Sequence, residues 1–258
     1  MGESTYIEIS IRGSIGIIML NRPEVLNALN REMVSEIVSA CEKFEADSNI
    51  RAIVLHGAGR SFAAGADIDE MADNTAVEME LLNQFKDWDR LLYIKKPIIG
   101  AVHGYCLGGG FELALACDLL LSSEDASFGF PEVNLAIMPG AGGTQRLTKL
   151  IGKTRAMEWL LTGDKKTGRE AYRLGIVNKL VPREALMDET FRLAETIAAQ
   201  APLSVRMIKE AVHKAVDSPL GEGMQYERKN LYLLFASNDQ KEGMRAFQER
   251  RKPDFQGY

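Results

Sequence analysis

The sequence has few of the residues that build metal centres and disulfide frameworks. Its 258 residues include only three cysteines and three histidines. These are scattered along the chain without CxxC or HxxxH spacing, so we expect neither a structural zinc site nor a disulfide scaffold. An odd number of cysteines is typical of a reducing compartment.

Long apolar runs and an excess of positive charge are also absent from the sequence. The most apolar region, residues 97–121, is interrupted by His103, Glu112 and Asp118, so it falls short of the roughly 20 apolar residues of a membrane span. Residues 1–13 show no basic segment followed by an apolar one, which predicts no secretory signal. The net charge of -5 disfavours binding to nucleic-acid phosphates. We therefore expect a cytoplasmic protein with no membrane and no nucleic-acid partner.

The pattern of apolar residues predicts an α/β fold for the first part of the chain. Strand-like apolar segments occur at 6–11, 16–20, 52–55, 97–102 and 118–121. Apolar residues at three- and four-residue spacing predict one helix from residue 30 and another through residues 79–88. Repeated strand, strand, helix units favour parallel pairing through crossover helices.

The second part of the chain is predicted to be helical. Helix-like segments lie at 155–161, 169–174, 183–199, 203–216, 226–235 and 239–248. We place a boundary near residue 200, which divides a core of residues 1–198 from a helical region of residues 199–258. Because about 60 residues bury little surface by themselves, this region is expected to pack against the core or against another subunit.

A glycine triplet followed by a glutamate is the first candidate site. Gly108, Gly109 and Gly110 precede a short helix, where unpaired N–H groups favour negative charge; a plain tight turn is the alternative. Glu112 is the only charged residue from Val102 through Cys117. An apolar helix is a buried helix, and a buried carboxylate there is an active-site candidate. A first-turn glutamate in contact with water is the competing interpretation.

Two further segments have small residues or a glutamate in an apolar setting. Residues 61–68, SFAAGADI, form a small-residue loop that could bring a second backbone N–H to the same point. Glu132 follows Pro131 in FGFPEV, and a glycine-rich segment, PGAGGT, follows at 139–144. Alone, each is weak evidence, since surface loops have similar sequences and Glu132 could be an exposed loop residue.

Together these motifs resemble the crotonase superfamily, and most closely its enoyl-CoA hydratases. The resemblance rests on AAGAD at 63–67, GYCLGGGFELALACD at 104–118, FGFPE at 128–132 and PGAGGTQRL at 139–147. It extends over nearly the whole chain, from 21–30 to 246–255. It implies a spiral of repeated β-β-α units with a helical C-terminal region that forms trimers, which commonly pair into hexamers.

The resemblance also implies roles for individual residues. The backbone N–H groups of Ala66 and Gly109 would form an oxyanion hole for a thioester carbonyl, and Glu112 and Glu132 would be the catalytic carboxylates. In this interpretation Glu112 acts chiefly as the base toward water and Glu132 as the acid at Cα. The residues implied to bind the substrate or its coenzyme A are Leu26, Ala64, Ala66, Asp67, Ile68 and Gly109, together with Phe247 and Arg250 of a neighbouring subunit. The substrate is an acyl-CoA thioester, and no metal or separate cofactor is expected.

Two positions depart from the family pattern. Asp69 stands where several hydratases have a lysine near the coenzyme's phosphates, so that contact is in doubt; Arg60 or the basic residues at 250–252 could replace it. Phe130 stands where some relatives have glutamine, and we expect it to make the acyl end of the site more apolar.

Three alternatives remain open. An enoyl-CoA isomerase of the same fold would shift a double bond instead of adding water, although isomerases often lack one of the two glutamates. A non-catalytic acyl-CoA-binding or RNA-binding scaffold would gain nothing from paired carboxylates. A serine hydrolase is disfavoured because no GxSxG motif is present.

Overall fold

A computed structural model describes residues 5–258. The strands of this range are β1 (Ile7–Arg12), β2 (Ile15–Leu20), β3 (Ala52–Gly57), β4 (Ile98–Val102), β5 (Tyr105–Leu107), β6 (Leu119–Ser123), β7 (Ser127–Gly129), β8 (Lys165–Thr167) and β9 (Lys179–Val181). The α-helices are α1 (Arg31–Ala46), α2 (Ala76–Leu82), α3 (Lys86–Arg90), α4 (Gly109–Ala116), α5 (Gly143–Ile151), α6 (Lys153–Thr162), α7 (Gly168–Arg173), α8 (Leu186–Ala198), α9 (Pro202–Asp217), α10 (Leu220–Leu234) and α11 (Asn238–Glu249). Short 3-10 helices lie at Pro23–Val25, Ile68–Glu70, Leu91–Tyr93, Pro131–Leu135 and Arg183–Ala185.

The strands form two sheets. The larger has the order β1-β2-β3-β4-β6-β9, and the smaller has the order β5-β7-β8. In the larger sheet β1 pairs antiparallel with β2, and every later pair is parallel. The expected parallel pairing through crossover connections is confirmed. Because β5 follows β4 and β7 follows β6, these two turns of the chain each contribute one strand to each sheet.

The strands β2, β3, β4 and β6 of the larger sheet are buried on both faces, whereas the edge strand β1 is mostly exposed. Ile53 and Leu55 of β3 face one apolar cluster together with α1 and α4, whereas Val54 faces a second cluster that is covered by α8. This explains the short, continuous apolar runs of the sequence, which are typical of parallel strands covered by helices on both sides. The carboxyl ends of these strands lead directly into the loops that carry the candidate site.

The predicted elements are mostly confirmed, with two differences. The single helix expected through residues 79–88 is two helices, α2 and α3, because Asn83 adopts a left-handed conformation with φ of 43° between them. The sequence analysis also missed the three-residue strands β5, β7, β8 and β9, as well as α5, which begins within the glycine-rich segment at 139–144. Strands of three residues are too short to show a periodic pattern.

The helical region α9–α11 contacts the core through charged side chains. Lys209 Nζ lies 2.7 Å from a carboxylate oxygen of Asp118 at the start of β6, and His213 Nε2 lies 3.0 Å from the other oxygen. Large apolar side chains of α9 and α10 remain exposed, including Ile208, Val212 and Leu220. The division at residues 198 and 199 stays a prediction. No helix within residues 5–258 combines the length and the apolar character of a membrane span.

Candidate active site

One cleft of about 320 Å³ gathers the residues that the sequence singled out. Its walls come from the start of α1, the loop after β3, α2 and α3, the start of α4, and residues 131–141. The predicted residues that line it are Ala64, Ala66, Asp67, Ile68, Gly109, Glu112 and Glu132. Clefts of this size that combine apolar walls with a few polar groups are the usual form of small-molecule sites.

The glycine triplet turns the chain from β5 into α4. Gly108 has φ of 49° and ψ of -127°, a conformation that favours glycine. A Cβ atom at Gly108 would lie 3.0 Å from Glu132 Oε1, so the missing side chain also lets this carboxylate approach the backbone. Gly109 is the first residue of α4, and the N–H groups of a helix's first turn have no intrahelical acceptor. Its N–H is therefore available to a ligand in the cleft.

The loop that carries Ala66 is held by hydrogen bonds to residues 26–29. The N–H of Ala64 donates to Leu26 O (3.0 Å), and the N–H groups of Leu29 and Asp67 complete a parallel bridge. The carbonyl group of Gly65 and the N–H group of Asp67 thus form hydrogen bonds. Within residues 5–258 the N–H group of Ala66, which lies between them, has no backbone acceptor.

The two free amides lie close together. The Cβ position built on Gly109 is 3.5 Å from Ala66 N, so the backbones of these two residues approach each other at the cleft that both line. Two backbone donors that converge on one point would stabilise a developing oxyanion. The roles that the sequence resemblance implied for Ala66 and Gly109 stay a prediction.

Glu112 is buried in the first turn of α4 and is only 3% exposed. Its Oε1 accepts hydrogen bonds from the N–H groups of Ala141 (2.8 Å) and Gly143 (2.7 Å), at the start of α5. Burial raises the pKa of this carboxyl, while these amides and that of Gly140 oppose the rise. The carboxylate is therefore fixed through one oxygen, which leaves Oε2 to act on a ligand.

Glu132 lies in the 3-10 helix Pro131–Leu135, on the other side of Gly108. Its Oε2 is buried and has no hydrogen-bond partner among the described residues. Burial raises the pKa of Glu132 to about 7, and the nearby negative charge of Glu112 contributes to the rise. Burial favours the protonated form of both carboxyls, whereas the amides of Ala141 and Gly143 favour the ionised form of Glu112. Two carboxyls whose surroundings differ in this way are typical of acid–base pairs.

The raised pKa of Glu132 predicts that this side chain lowers the stability of the folded chain. Because the folded state binds the proton more tightly than the unfolded state, the free energy of unfolding falls as pH rises from 4.5 to about 7. At pH 8 we expect Glu132→Gln to raise the free energy of unfolding by roughly 1–3 kcal/mol. Thermal unfolding of both proteins at equal concentration checks this. An equal gain at pH 4.5 would contradict the titration argument.

Three predicted coenzyme contacts lie outside the cleft. Leu26 does not line it, but its carbonyl holds Ala64 as described above. Phe247, which is 85% exposed on α11, and Arg250, which ends that helix with φ of 55°, also lie outside it. Their predicted contact with the site of a neighbouring subunit stays a prediction.

The structure shows where the two residues that depart from the family pattern lie. Phe130 is fully buried and stacks on Phe111 with 4.7 Å between ring centroids, and it is not part of the cleft wall. The expectation that it makes the acyl end of the site more apolar is wrong, because the ring points into the core beneath α4. Asp69 is exposed and lies outside the cleft lining. Of the suggested replacements, Arg251 is paired with Glu242 and Glu249.

The sequence analysis missed several residues that shape the site. Arg22 pairs with Asp67 at 3.0 Å and donates to Ala28 O at 2.7 Å. Buried Asn27 donates from its amide to Ala58 O and Ser61 O, so it joins the 22–29 segment to the loop before Ala66. The segment NRPEVLNALN was part of the resemblance, but nothing in its pattern showed which side chains join the two loops.

Comparisons with known proteins show to which family this chain belongs. The family model "Enoyl-CoA hydratase/isomerase" matches residues 10–258, so the chain belongs to the enoyl-CoA hydratase/isomerase family. A mitochondrial enoyl-CoA hydratase of Pongo abelii is 46% identical over 97% of this chain and 87% of its own length. A probable enoyl-CoA hydratase of Mycobacterium tuberculosis is 46% identical over 93% of this chain and 94% of its own.

A solved structure shares the fold throughout. A crystal structure from Geobacillus kaustophilus, titled as an enoyl-CoA hydratase subunit, superposes with a TM-score of 0.98 at 63% identity, and the match covers 100% of both chains. The expected α/β fold, a crotonase-like spiral of β-β-α units followed by C-terminal helices, is therefore confirmed.

Proposed function

We propose that this chain catalyses the reversible addition of water to a 2-trans-enoyl-CoA, which gives a 3-hydroxyacyl-CoA, as in fatty-acid β-oxidation. The observation that carries this proposal is the pair of unlike carboxyl groups, Glu112 and Glu132, beside two unpaired backbone amides in one cleft. Relatives that share the family over nearly the whole chain bear the name enoyl-CoA hydratase.

In this proposal the amides of Ala66 and Gly109 bind the thioester carbonyl oxygen. Addition of a nucleophile at Cβ moves negative charge onto that oxygen, and two fixed donors stabilise the resulting enolate. A single donor of this kind contributes about 3–4 kcal/mol to transition-state stabilisation. The loop contacts of Ala66 and the helical position of Gly109 keep both donors in place before the substrate arrives, so no reorganisation is needed during the reaction.

The two carboxyl groups then divide the proton transfers between them. A water O–H bond breaks, the water oxygen bonds to Cβ, and the proton passes to Oε2 of Glu112. The electron pair of the former double bond forms a new bond between Cα and the proton that Glu132 releases. Proton exchange with solvent then returns Glu112 to its ionised form and Glu132 to its protonated form. Dehydration follows the same steps in reverse, with the roles exchanged.

The remaining contacts are proposed from the family resemblance. Leu26, Ala64 and Ile68 would border the adenine end of coenzyme A, and Asp67 would also contact the substrate. Coenzyme A belongs to the substrate, so no separate cofactor or metal is proposed. Phe247 and Arg250 would reach the site of a neighbouring subunit in a homotrimer or a hexamer of two trimers. The exposed apolar side chains of α9 and α10 support an assembly of this kind. A cytoplasmic location also stays a prediction.

Hydration is expected to have a bell-shaped dependence on pH. Activity needs Glu112 ionised and Glu132 protonated, so kcat/KM falls at low pH as Glu112 gains a proton. It falls again above about 7 as Glu132 loses its proton. Because the two carboxyls interact, the midpoint of each limb is an apparent pKa that is influenced by the other group. The measurement is kcat/KM for crotonyl-CoA across pH 4.5–9.5. An alkaline limb that begins only above pH 9 would exclude Glu132 as the proton donor.

The direct test is a crotonyl-CoA hydration assay on the purified protein. Loss of the enoyl absorbance and a product with the mass of substrate plus water establish the hydratase. A product of unchanged mass with a shifted double bond, formed from a 3-enoyl-CoA, establishes the isomerase instead. Thioester binding without turnover supports the non-catalytic scaffold, and salt-sensitive binding of RNA would point to an RNA-binding scaffold.

A further inference from the structure

The part of the cleft beyond the carboxyl groups is almost entirely apolar. The uncharged side chains that α2, α3 and the segment after Glu132 contribute to it include Met79, Phe85, Trp88, Leu135, Ile137 and Met138. The whole cleft has a volume of about 320 Å³, which lies near the lower end of the range for small-molecule sites. Because the same volume must also accept the thioester, little of it remains for an acyl chain.

Phe85 lies against the loop that holds Glu112. A Cβ atom at Gly140 would be only 2.5 Å from Cζ of the Phe85 ring, so the ring tip rests directly on this glycine. The next residue, Ala141, donates its N–H to Glu112. The ring of Phe85 therefore packs across the cleft, from the turn between α2 and α3 to the loop that anchors the catalytic base.

The lining of the cleft disfavours an anionic group at the end of the acyl chain. Among the described lining residues, Arg31 is the only cation, whereas Asp67, Glu70, Glu112 and Glu132 are all acidic. Arg31 stands at the start of α1, opposite these apolar side chains, and is paired with Glu70, whose Oε2 lies 3.4 Å from its Nε and accepts from its backbone N–H at 2.8 Å. A carboxylate at the end of an acyl chain would find apolar side chains and no unpaired cation, and burying it unpaired is costly.

We infer that this cleft selects short 2-enoyl thioesters with an uncharged hydrocarbon end, and that Phe85 sets the limit on chain length. The inference rests on the proposed hydratase function and narrows its substrate class. Two features carry it independently: the contact of Phe85 with Gly140, which places the ring across the apolar space, and the pairing of Arg31 with Glu70, which offsets the charge of the one cation among the described lining residues.

The charge argument is tested with two substrates of equal chain length. Hex-2-enoyl-CoA ends in a methyl group, and 2,3-dehydroadipyl-CoA ends in a carboxylate. We expect kcat/KM for the second to be lower by about 100-fold or more. Arg31→Ala is not expected to narrow this difference. Equal rates for the two substrates, or a preference for the carboxylate, would overturn the inference while leaving the hydratase function intact.

The length argument is tested with Phe85→Ala. We expect the ratio of kcat/KM for dec-2-enoyl-CoA to kcat/KM for crotonyl-CoA to rise by about tenfold, because the removed ring opens the apolar space. Leu81→Ala is the matched control, since Leu81 is 79% exposed on α2 and does not line the cleft; its ratio should not change. An unchanged ratio in a folded Phe85→Ala protein refutes the role of Phe85. Absence of turnover of every enoyl-CoA by the wild-type protein would instead refute the hydratase function.

Discussion

Glu132→Gln is expected to lower kcat for hydration of crotonyl-CoA by about 10³-fold while the protein still binds a CoA thioester. Glutamine fills the same space, but it cannot give a proton to Cα, and positioned acid–base groups contribute about 10²–10⁴-fold to rate. Glu112→Gln should cause a loss of similar size, because its anchored oxygen remains near the amides of Ala141 and Gly143 but the base toward water is gone.

The control for both variants is Glu184→Gln, an exposed glutamate outside the cleft, for which no change in kcat is expected. The measurements are steady-state hydration and the binding of an unreactive acyl-CoA. A loss of binding equal to the loss of kcat would show that the substitutions distort the cleft. A kcat within threefold of wild type for either variant would remove that glutamate from the mechanism.

Gly110→Ala is expected to lower kcat/KM by about 10²-fold or more and to destabilise the fold by about 1–3 kcal/mol. A Cβ atom at this position would lie 2.2 Å from the carbonyl oxygen of Ala63, which accepts a hydrogen bond from Leu107. A Cβ atom and a carbonyl oxygen cannot lie this close, so the backbone of Gly110 and that of Ala63 must move apart. The movement separates the start of α4 from the Ala66 loop, and with it the two amides of the oxyanion hole.

The matched control is Gly221→Ala in α10. Nothing lies within 4 Å of a Cβ atom at Gly221, and alanine is the better helix former by about 0.5–1 kcal/mol. This variant should therefore keep its activity and unfold at an equal or higher temperature. Activity of Gly110→Ala near the wild-type level would mean that the close approach of α4 and the Ala66 loop is not required for catalysis.

The sequence predicted the structure best where a local pattern of apolar and polar residues has a single physical cause, such as the burial of a strand. The buried strands β2, β3 and β4 showed as short apolar runs, and Asn30 was correctly placed at the start of a helix, where its side chain caps the N–H of Met33. The two glutamates stood out because each lies among apolar neighbours. The structure brings both into one cleft with the amides of Ala66 and Gly109, although their catalytic roles stay a proposal.

The features that the sequence did not reveal depend on contacts between distant segments. Nothing near Phe130 indicates that its ring stacks on Phe111, because the pattern shows an aromatic residue beside the site but not the direction of its side chain. The same holds for Phe85, which was assigned to the apolar face of a single helix. The left-handed conformation of Asn83 ends that helix early and redirects the chain. Short strands such as β5 arise from pairing with β7, which no local pattern records.

The shared use of residues 139–143 has a consequence for how relatives of this protein can diverge. One side of this loop holds the base through the amides of Ala141 and Gly143, and Gly140 supports the ring of Phe85. We expect a substitution in the loop that reshapes the acyl space to shift Glu112 as well and to slow every substrate. We therefore expect new substrate preferences to arise more easily on the opposite wall, through side chains of α2 and α3 that form no hydrogen bond to the base.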